Sequence, residues 1–210
     1  MAYTTLTSLH DRYNSMRSLS RQLPALRESQ SHDIGPAIAQ IFVKHQMHRD
    51  YHLAVLHRHH ILPTGYAMVY QREGPDKYTC SMQVIELEKT FPSSYHLSDG
   101  RFVPFEFSLA EPRIKPSDGF LLELSDILHE HGLDHEIGIT KALPPEHLWK
   151  EELCETGMIC TRIDAEDKMS VENCVITQWA FQETSCGLET TAVRACEETP
   201  AGHRRIGKYE

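Results

Sequence analysis

The chain has no apolar run near the roughly 20 residues that a membrane-crossing helix needs. Its first residues, MAYTTLTSLHDRYNSMRSL, lack the apolar core of a secretory signal. A cytoplasmic protein is therefore expected, and its six cysteines are then thiols, metal ligands or buried fillers rather than disulfides. No CxxC pair occurs, which excludes a zinc ribbon and a thioredoxin-type motif. The P-loop, the dinucleotide glycine fingerprint, HExxH and GxSxG are absent as well. Basic residues are few beside acidic ones, 21 against 30, for a net charge of −9 with neutral histidines. A phosphate-binding face needs the opposite balance, so nucleic acid is excluded as the main partner, and so is an anionic membrane.

What the chain has in excess is histidine. Six of its fourteen fall in the stretch KHQMHRDYHLAVLHRHH: His45, His48, His52, His57, His59 and His60. Neutral imidazole is the commonest protein metal ligand and a frequent general acid or base. The run therefore points to a metal site or a proton-transfer site, without deciding between them.

Two stretches of the chain resemble each other. Ile41–Leu53 and Ile127–Ile139 both read as the end of an amphipathic helix, a turn, an acidic residue and the start of a strand. His45 aligns with His131, Lys44 with Glu130 and Asp50 with Glu136. Helices are predicted over residues 33–44 and 118–131, with Asp118 as an N-cap and Gly132 as the stop, and an earlier one from Thr7 to Leu26. Strands are predicted at 51–57, 66–71, 79–86 and 102–109, then at 136–140, 158–163, 174–182 and 191–196. Turn-rich pieces separate them, among them Pro92-Ser93-Ser94. The expected fold is α+β in one compact unit, made of two related helix-plus-antiparallel-sheet halves at residues 32–110 and 117–200.

Three groups of residues carry the candidate chemistry. His57 and His59, at i and i+2 of a strand end, share a face and can reach one ion; a polar strand rim is the plainer alternative. In the tail, Cys196 and His203 flank a Pro-Gly turn, and thiolate with imidazole suits tetrahedral zinc. Glu130 and His131, with Lys44 and His45 in the matching stretch, place ionisable pairs at both repeated turns and are candidates for proton transfer; solvated helix ends are the alternative. Glu106, between Phe105 and Phe107, is expected to point outward while both rings point in, and Trp179 is expected in the core.

The stretch Val55-Leu56-His57-Arg58-His59, with Trp179-Ala180-Phe181, Arg194-Ala195-Cys196 and Gly202-His203-Arg204, resembles a group of fungal proteins with a leucine–His–basic–His signature. Within that group the chain looks most like the cyclopenases of quinolone alkaloid pathways, small zinc-binding proteins. The resemblance implies a zinc-containing lyase. Its reaction would convert a cyclopenin-type benzodiazepinedione epoxide to a viridicatin-type quinolone, with ring contraction and loss of methyl isocyanate. It leaves open whether zinc is catalytic or structural. The reading from a different class is a non-enzymatic, metal-stabilised binding protein.

Overall fold

The computed structural model describes residues 6–19, 34–84, 86, 88–154, 157–163, 174–199 and 202–203. Side chains are described for fewer of these, and not for Glu197–Thr199 or His203. Among the described residues three helices and eleven strands follow one another. They are α1 (Leu6–Ser15), α2 (Ile34–Lys44), β1 (Tyr51–Val55), β2 (Tyr66–Arg72), β3 (Lys77–Val84), β4 (Phe91–Ser98) and β5 (Arg101–Ser108). Then come α3 (Asp118–Glu130), β6 (Ile137–Lys141), β7 (Leu148–Cys154), β8 (Gly157–Ile163), β9 (Cys174–Thr184), β10 (Gly187–Thr199) and β11 (Gly202–His203).

The strands pair in the order β10-β7-β8-β3-β2-β5-β4-β6-β1-β9, and β9 pairs back to β10, so ten strands close a mixed barrel; β11 only extends β10. The α+β class holds, with sheet dominating. The two halves do not form separate sheets packed together, because β1 pairs with both β6 and β9 and β3 pairs with β8. Strands of both stretches are thus woven into one wall.

Within that wall the ladder registers correspond. Glu106 on β5 stands opposite Ser94 and Met68, and Arg194 on β10 stands opposite Gln178 and Trp149. Ser108 opposite Tyr70 matches Cys196 opposite Glu151. The antiparallel ladders β4–β5 and β9–β10 shift register at the matching place, beside Ser94 and beside Arg194. Each β-bulge lets its strand turn one extra residue and re-aims a polar side chain.

Both faces of the wall are covered or filled. Residues 51, 53 and 55 of β1 and 137 and 139 of β6 alternate outward and meet Phe42 of α2 and Phe120, Leu124 and Leu128 of α3 in the largest core cluster. The apolar spacing of both helices, Ile38, Ile41 and Phe42 in one and Leu124, Ile127 and Leu128 in the other, aims one stripe at the barrel. The N-cap of α3 is Ser117 rather than Asp118: its Oγ accepts the Phe120 N–H at 3.2 Å. Gly132 ends the helix at φ 67°, as its sequence position suggests. α1 stops at Ser15, short of the Leu26 expected; residues 20–26 lie outside the described residues. Its Leu9 packs on Ala67, Val69 and Phe107 from outside, while Tyr13 enters a second cluster with Leu56, Leu62, Met68 and Phe105.

Three of the strands, β4, β7 and the two-residue β11, were not among those expected. β4 begins Phe-Pro-Ser-Ser, which reads as a turn, yet Pro92 sits just before the bulge, where a missing N–H is tolerated. β7 reads Leu-Trp-Lys-Glu-Glu-Leu-Cys, a charged run, but Trp149, Glu151 and Leu153 are buried in strict alternation. A ten-stranded barrel is wider than the eight-stranded kind whose interior side chains just fill. Its lumen here carries polar groups, among them His52, Ser94, Glu106, Thr140, Glu151, Gln178 and Arg194, all buried. Glu106 is thus directed opposite to expectation. Phe105 and Phe107 are buried too, packed in the clusters of Tyr13 and Leu9, so the alternation rule fails because the strand is covered on both faces. Trp179 is partly buried against the main core.

Candidate metal centre and cavity

β1 runs out at Val55, and Leu56 then folds across Gly138, where any side chain at that glycine would meet Leu56 and the Tyr95 carbonyl. The next residues cross the end of the barrel. His57 Nδ1 lies 3.0 Å from the Val55 carbonyl oxygen, to which it donates in the tautomer that leaves Nε2 facing inward. The His59 N–H donates to Tyr13 Oη at 3.2 Å, so α1 holds this segment from below. His60 Nε2 reaches the Gly157 carbonyl at 2.7 Å, and His10 and Asn14 of α1 clasp the Leu62 carbonyl.

These contacts bring His57 and His59 to 4.6 Å between ring centres. Their Nε2 atoms are each 3.9 Å from Oε2 of Glu151 on β7. Cys196 on β10 is the register partner of Glu151. One donor atom from each of His57, His59, Glu151 and Cys196 lies within 4.8 Å of all the others, in a setting where every side chain is almost wholly buried. Three of the four residues expected to bind metal are therefore together. The fourth, His203, falls on β11 opposite Glu198, with its side chain outside the described residues. Glu151 stands in the set instead.

The donor chemistry fits a divalent ion of the zinc type. Two imidazoles, a carboxylate and a thiol are the ligand types that zinc takes, and the carbonyl behind His57 is the usual outer support of such a ligand. Burial lowers the His57 pKa, with the nearby Glu151 carboxylate opposing, so the ring is a neutral lone-pair donor. Burial, followed by the Glu151 charge, pushes the Cys196 thiol well up. A cation in the cluster reverses that tendency, because a coordinating thiol ionises.

Behind the cluster, Arg194 Nη1 forms an ion pair with Glu151 Oε1 at 2.8 Å and donates to Tyr70 Oη at 3.0 Å. Tyr70 and Arg194 also line a cavity of about 540 Å³, with Tyr78, Ser93, Ser108, Thr140 and Leu143. That volume is in the range of small-molecule sites. The cavity opens where β1 begins, beside Lys141 and Ala142, whereas the metal cluster lies where β1 ends. The cavity thus occupies the register-equivalent end of the barrel: Tyr70 and Ser108 there match Glu151 and Cys196 of the cluster.

The four residues expected to transfer protons stand elsewhere. Lys44 Nζ and His45 Nε2 both meet Glu123, at 2.8 Å to Oε2 in each case, on the outer face between α2 and α3. Glu130 and His131 are exposed at the end of α3. Lys44 and Glu130 line one open surface groove. None of the four reaches the barrel interior.

Comparison with known family models, curated proteins and solved structures finds no match for this chain.

Proposed function

We propose that the protein is a zinc-containing lyase whose chemistry takes place in the barrel cavity, on a small aromatic substrate of the cyclopenin type. The observation that carries this reading is the link made by one residue: Arg194 touches a metal-competent cluster on one side and lines a substrate-sized cavity on the other.

His57, His59, Glu151 and Cys196 would hold the ion. When bound, zinc would supply fixed positive charge and Lewis acidity at the end of the barrel where β1 ends. The chain's own residues do the rest. Arg194, oriented by Glu151, presents a guanidinium donor to an oxygen in the cavity, and Tyr70 beside it adds a phenol. Tyr70 and Tyr78 supply aromatic faces, and Leu109 and Leu143 supply apolar walls. Ring contraction of a cyclopenin-type epoxide requires a donor at the epoxide oxygen as carbon–carbon bond formation opens it. It also requires a base for an amide or phenolic proton, and expulsion of methyl isocyanate balances the atoms. Groups that face the cavity are better placed for those transfers than Lys44, His45, Glu130 and His131, which lie outside the barrel.

A second reading rests on the completeness of the donor set. Four protein ligands leave no open position, which is the pattern of structural zinc, and this favours a metal-stabilised binding protein with the cavity as its ligand site. Incubation of zinc-loaded protein with cyclopenin separates the two: formation of a viridicatin-type quinolone and methyl isocyanate supports the lyase. Binding of cyclopenin without conversion leaves the binding protein.

A further inference from the structure

A chain of hydroxyls leads from the cavity to a carboxyl that does not line it. Thr140 on β6 lines the cavity. Its Oγ1 is 2.8 Å from Ser94 Oγ on β4, and Ser94 Oγ donates to Glu106 Oε2 on β5 at 2.7 Å. All three side chains are buried, Glu106 to 5% exposure.

We infer that Thr140, Ser94 and Glu106 form a proton relay, through which a hydroxyl or amide N–H of a ligand in the cavity exchanges its proton with the Glu106 carboxyl. The inference rests on the cavity being the ligand site of the proposed function.

The direction of the hydrogen bonds gives the step. A ligand N–H or O–H donates to Thr140 Oγ1, the Thr140 proton passes to Ser94 Oγ, and the Ser94 proton passes to Glu106 Oε2. The ligand ends as its anion and Glu106 ends neutral; no electrons move between centres. The reverse sequence protonates a ligand oxygen. Arg194, at the cavity wall, stabilises the anion.

Two further observations support the assignment. The fold does not demand this trio: at the register-equivalent positions of the other stretch stand Ala54, Gln178 and Arg194, which cannot form such a chain. There the amide of Gln178 meets His52 Nδ1 at 2.7 Å instead. Second, burial pushes the Glu106 carboxyl up to about 7, against the opposing Ser94 hydrogen bond and Arg194 charge, and Glu151 pushes the same way as burial. Tyr13, Tyr70 and Cys80 also feel this carboxylate, and each is held in its neutral form chiefly by burial. Glu106 is therefore poised to accept or release a proton near neutral pH.

The test uses the full-length zinc-loaded protein and three variants, Glu106→Gln, Ser94→Ala and Thr140→Val. With cyclopenin, wild-type turnover is expected to rise with pH through neutrality, and Glu106→Gln to lose that limb with about a hundredfold fall in kcat. Thr140→Val should lower kcat by at least tenfold while the infrared carbonyl band of protonated Glu106 stays in place. A pH profile unchanged in Glu106→Gln, or full turnover in Thr140→Val, overturns the relay. If wild-type protein does not convert cyclopenin, the lyase reading fails alone, and the relay is judged with para-nitrophenol as the cavity probe. Binding should then increase the coloured phenolate and the Glu106 acid band together in wild type, and increase neither in Thr140→Val. Phenol bound with no change at Glu106, or the same response in Thr140→Val, overturns it.

Discussion

The Arg194 guanidinium and the Glu151 carboxylate are locked together at 2.8 Å inside the barrel, each less than a tenth exposed. Removing one partner of such a pair costs about 3–5 kcal/mol because the other charge is left buried. Arg194→Met is expected to destabilise the metal-free protein by an amount in that range, read by denaturant unfolding. The zinc-loaded variant should lose distinctly less, because the ion compensates Glu151. Equal losses in the two states would show that Glu151 does not face the metal.

One zinc per chain is expected by metal analysis of purified protein. His57→Ala, His59→Ala, Glu151→Gln and Cys196→Ser should each weaken binding by at least tenfold, measured by competition with a chromogenic chelator, since each removes one of four donors. Retention of full affinity in Cys196→Ser together with Glu151→Gln would move the site away from this cluster. His203→Ala is the informative control: unchanged affinity is the expected result when Glu151 completes the set.

Stability should vary with pH in a direction set by buried His52 and Glu106, by partly buried His96 and, in the metal-free protein, by buried His57, which acts in the same direction as the other two histidines. Burial, with Arg194 adding, lowers His52 from 6.5 to about 3, and burial, with Arg12 adding, lowers His96 to about 4. Both histidines are neutral when folded and take up protons only on unfolding, so their contribution is complete above 6.5 and is lost as pH falls towards 4. Glu106 works the other way. Its folded value of about 7 lies above the unfolded 4.5, so its contribution is present below 4.5 and lost as pH rises through 7. Between 4.5 and 6.5 the two histidines outweigh the one carboxyl, and stability should rise with pH. A slight decline should follow near 7. In Glu106→Gln the decline should vanish and the slope below 6.5 steepen. A stability curve flat from pH 4.5 to 6.5 would contradict the burial of both imidazoles.

How much of this arrangement could be read from the chain depended on whether local pattern or long-range pairing decided each feature. His57 and His59 were legible as a pair, but not for the reason their i, i+2 spacing gave: the strand expected to hold them ends at Val55, and the segment after it brings the two rings together. Cys196 was legible because a thiol is a chemically distinctive metal ligand. Glu151 was not, since β7 carries Lys150, Glu151 and Glu152 in a row and resembles a solvated segment. The signal was there in the alternation of Trp149, Glu151 and Leu153, which places one carboxylate among buried apolar side chains. Ser94 was hidden behind Pro92, whose turn-like context masks a bulged strand. Glu106 was misdirected because the two-faced alternation rule assumes one wet face, and α1 covers that face. The recurrence of His45 at His131 was visible locally, but the closure of both stretches into one barrel is a matter of pairing between distant strands, which no short motif encodes.

Gly157 offers a test of that closure. A methyl group there would lie 2.1 Å from the Cys80 carbonyl oxygen and 2.7 Å from Ser81 Cα, both backbone atoms of the facing strand β3. The ladder between β3 and β8 joins the two stretches at this side of the barrel, and backbone cannot yield as a flexible side chain does. Overpacking of this kind typically costs about 1–3 kcal/mol. Because the His60 ring is anchored on the Gly157 carbonyl, the strain is transmitted to the segment that carries His57 and His59. Gly157→Ala is therefore expected to lower both unfolding free energy and zinc affinity. Gly74→Ala, where nothing lies within 4 Å of the added methyl, should leave both unchanged. If Gly157→Ala unfolds at the wild-type denaturant midpoint, β8 does not pack against β3 in this register, and the barrel closes in some other way.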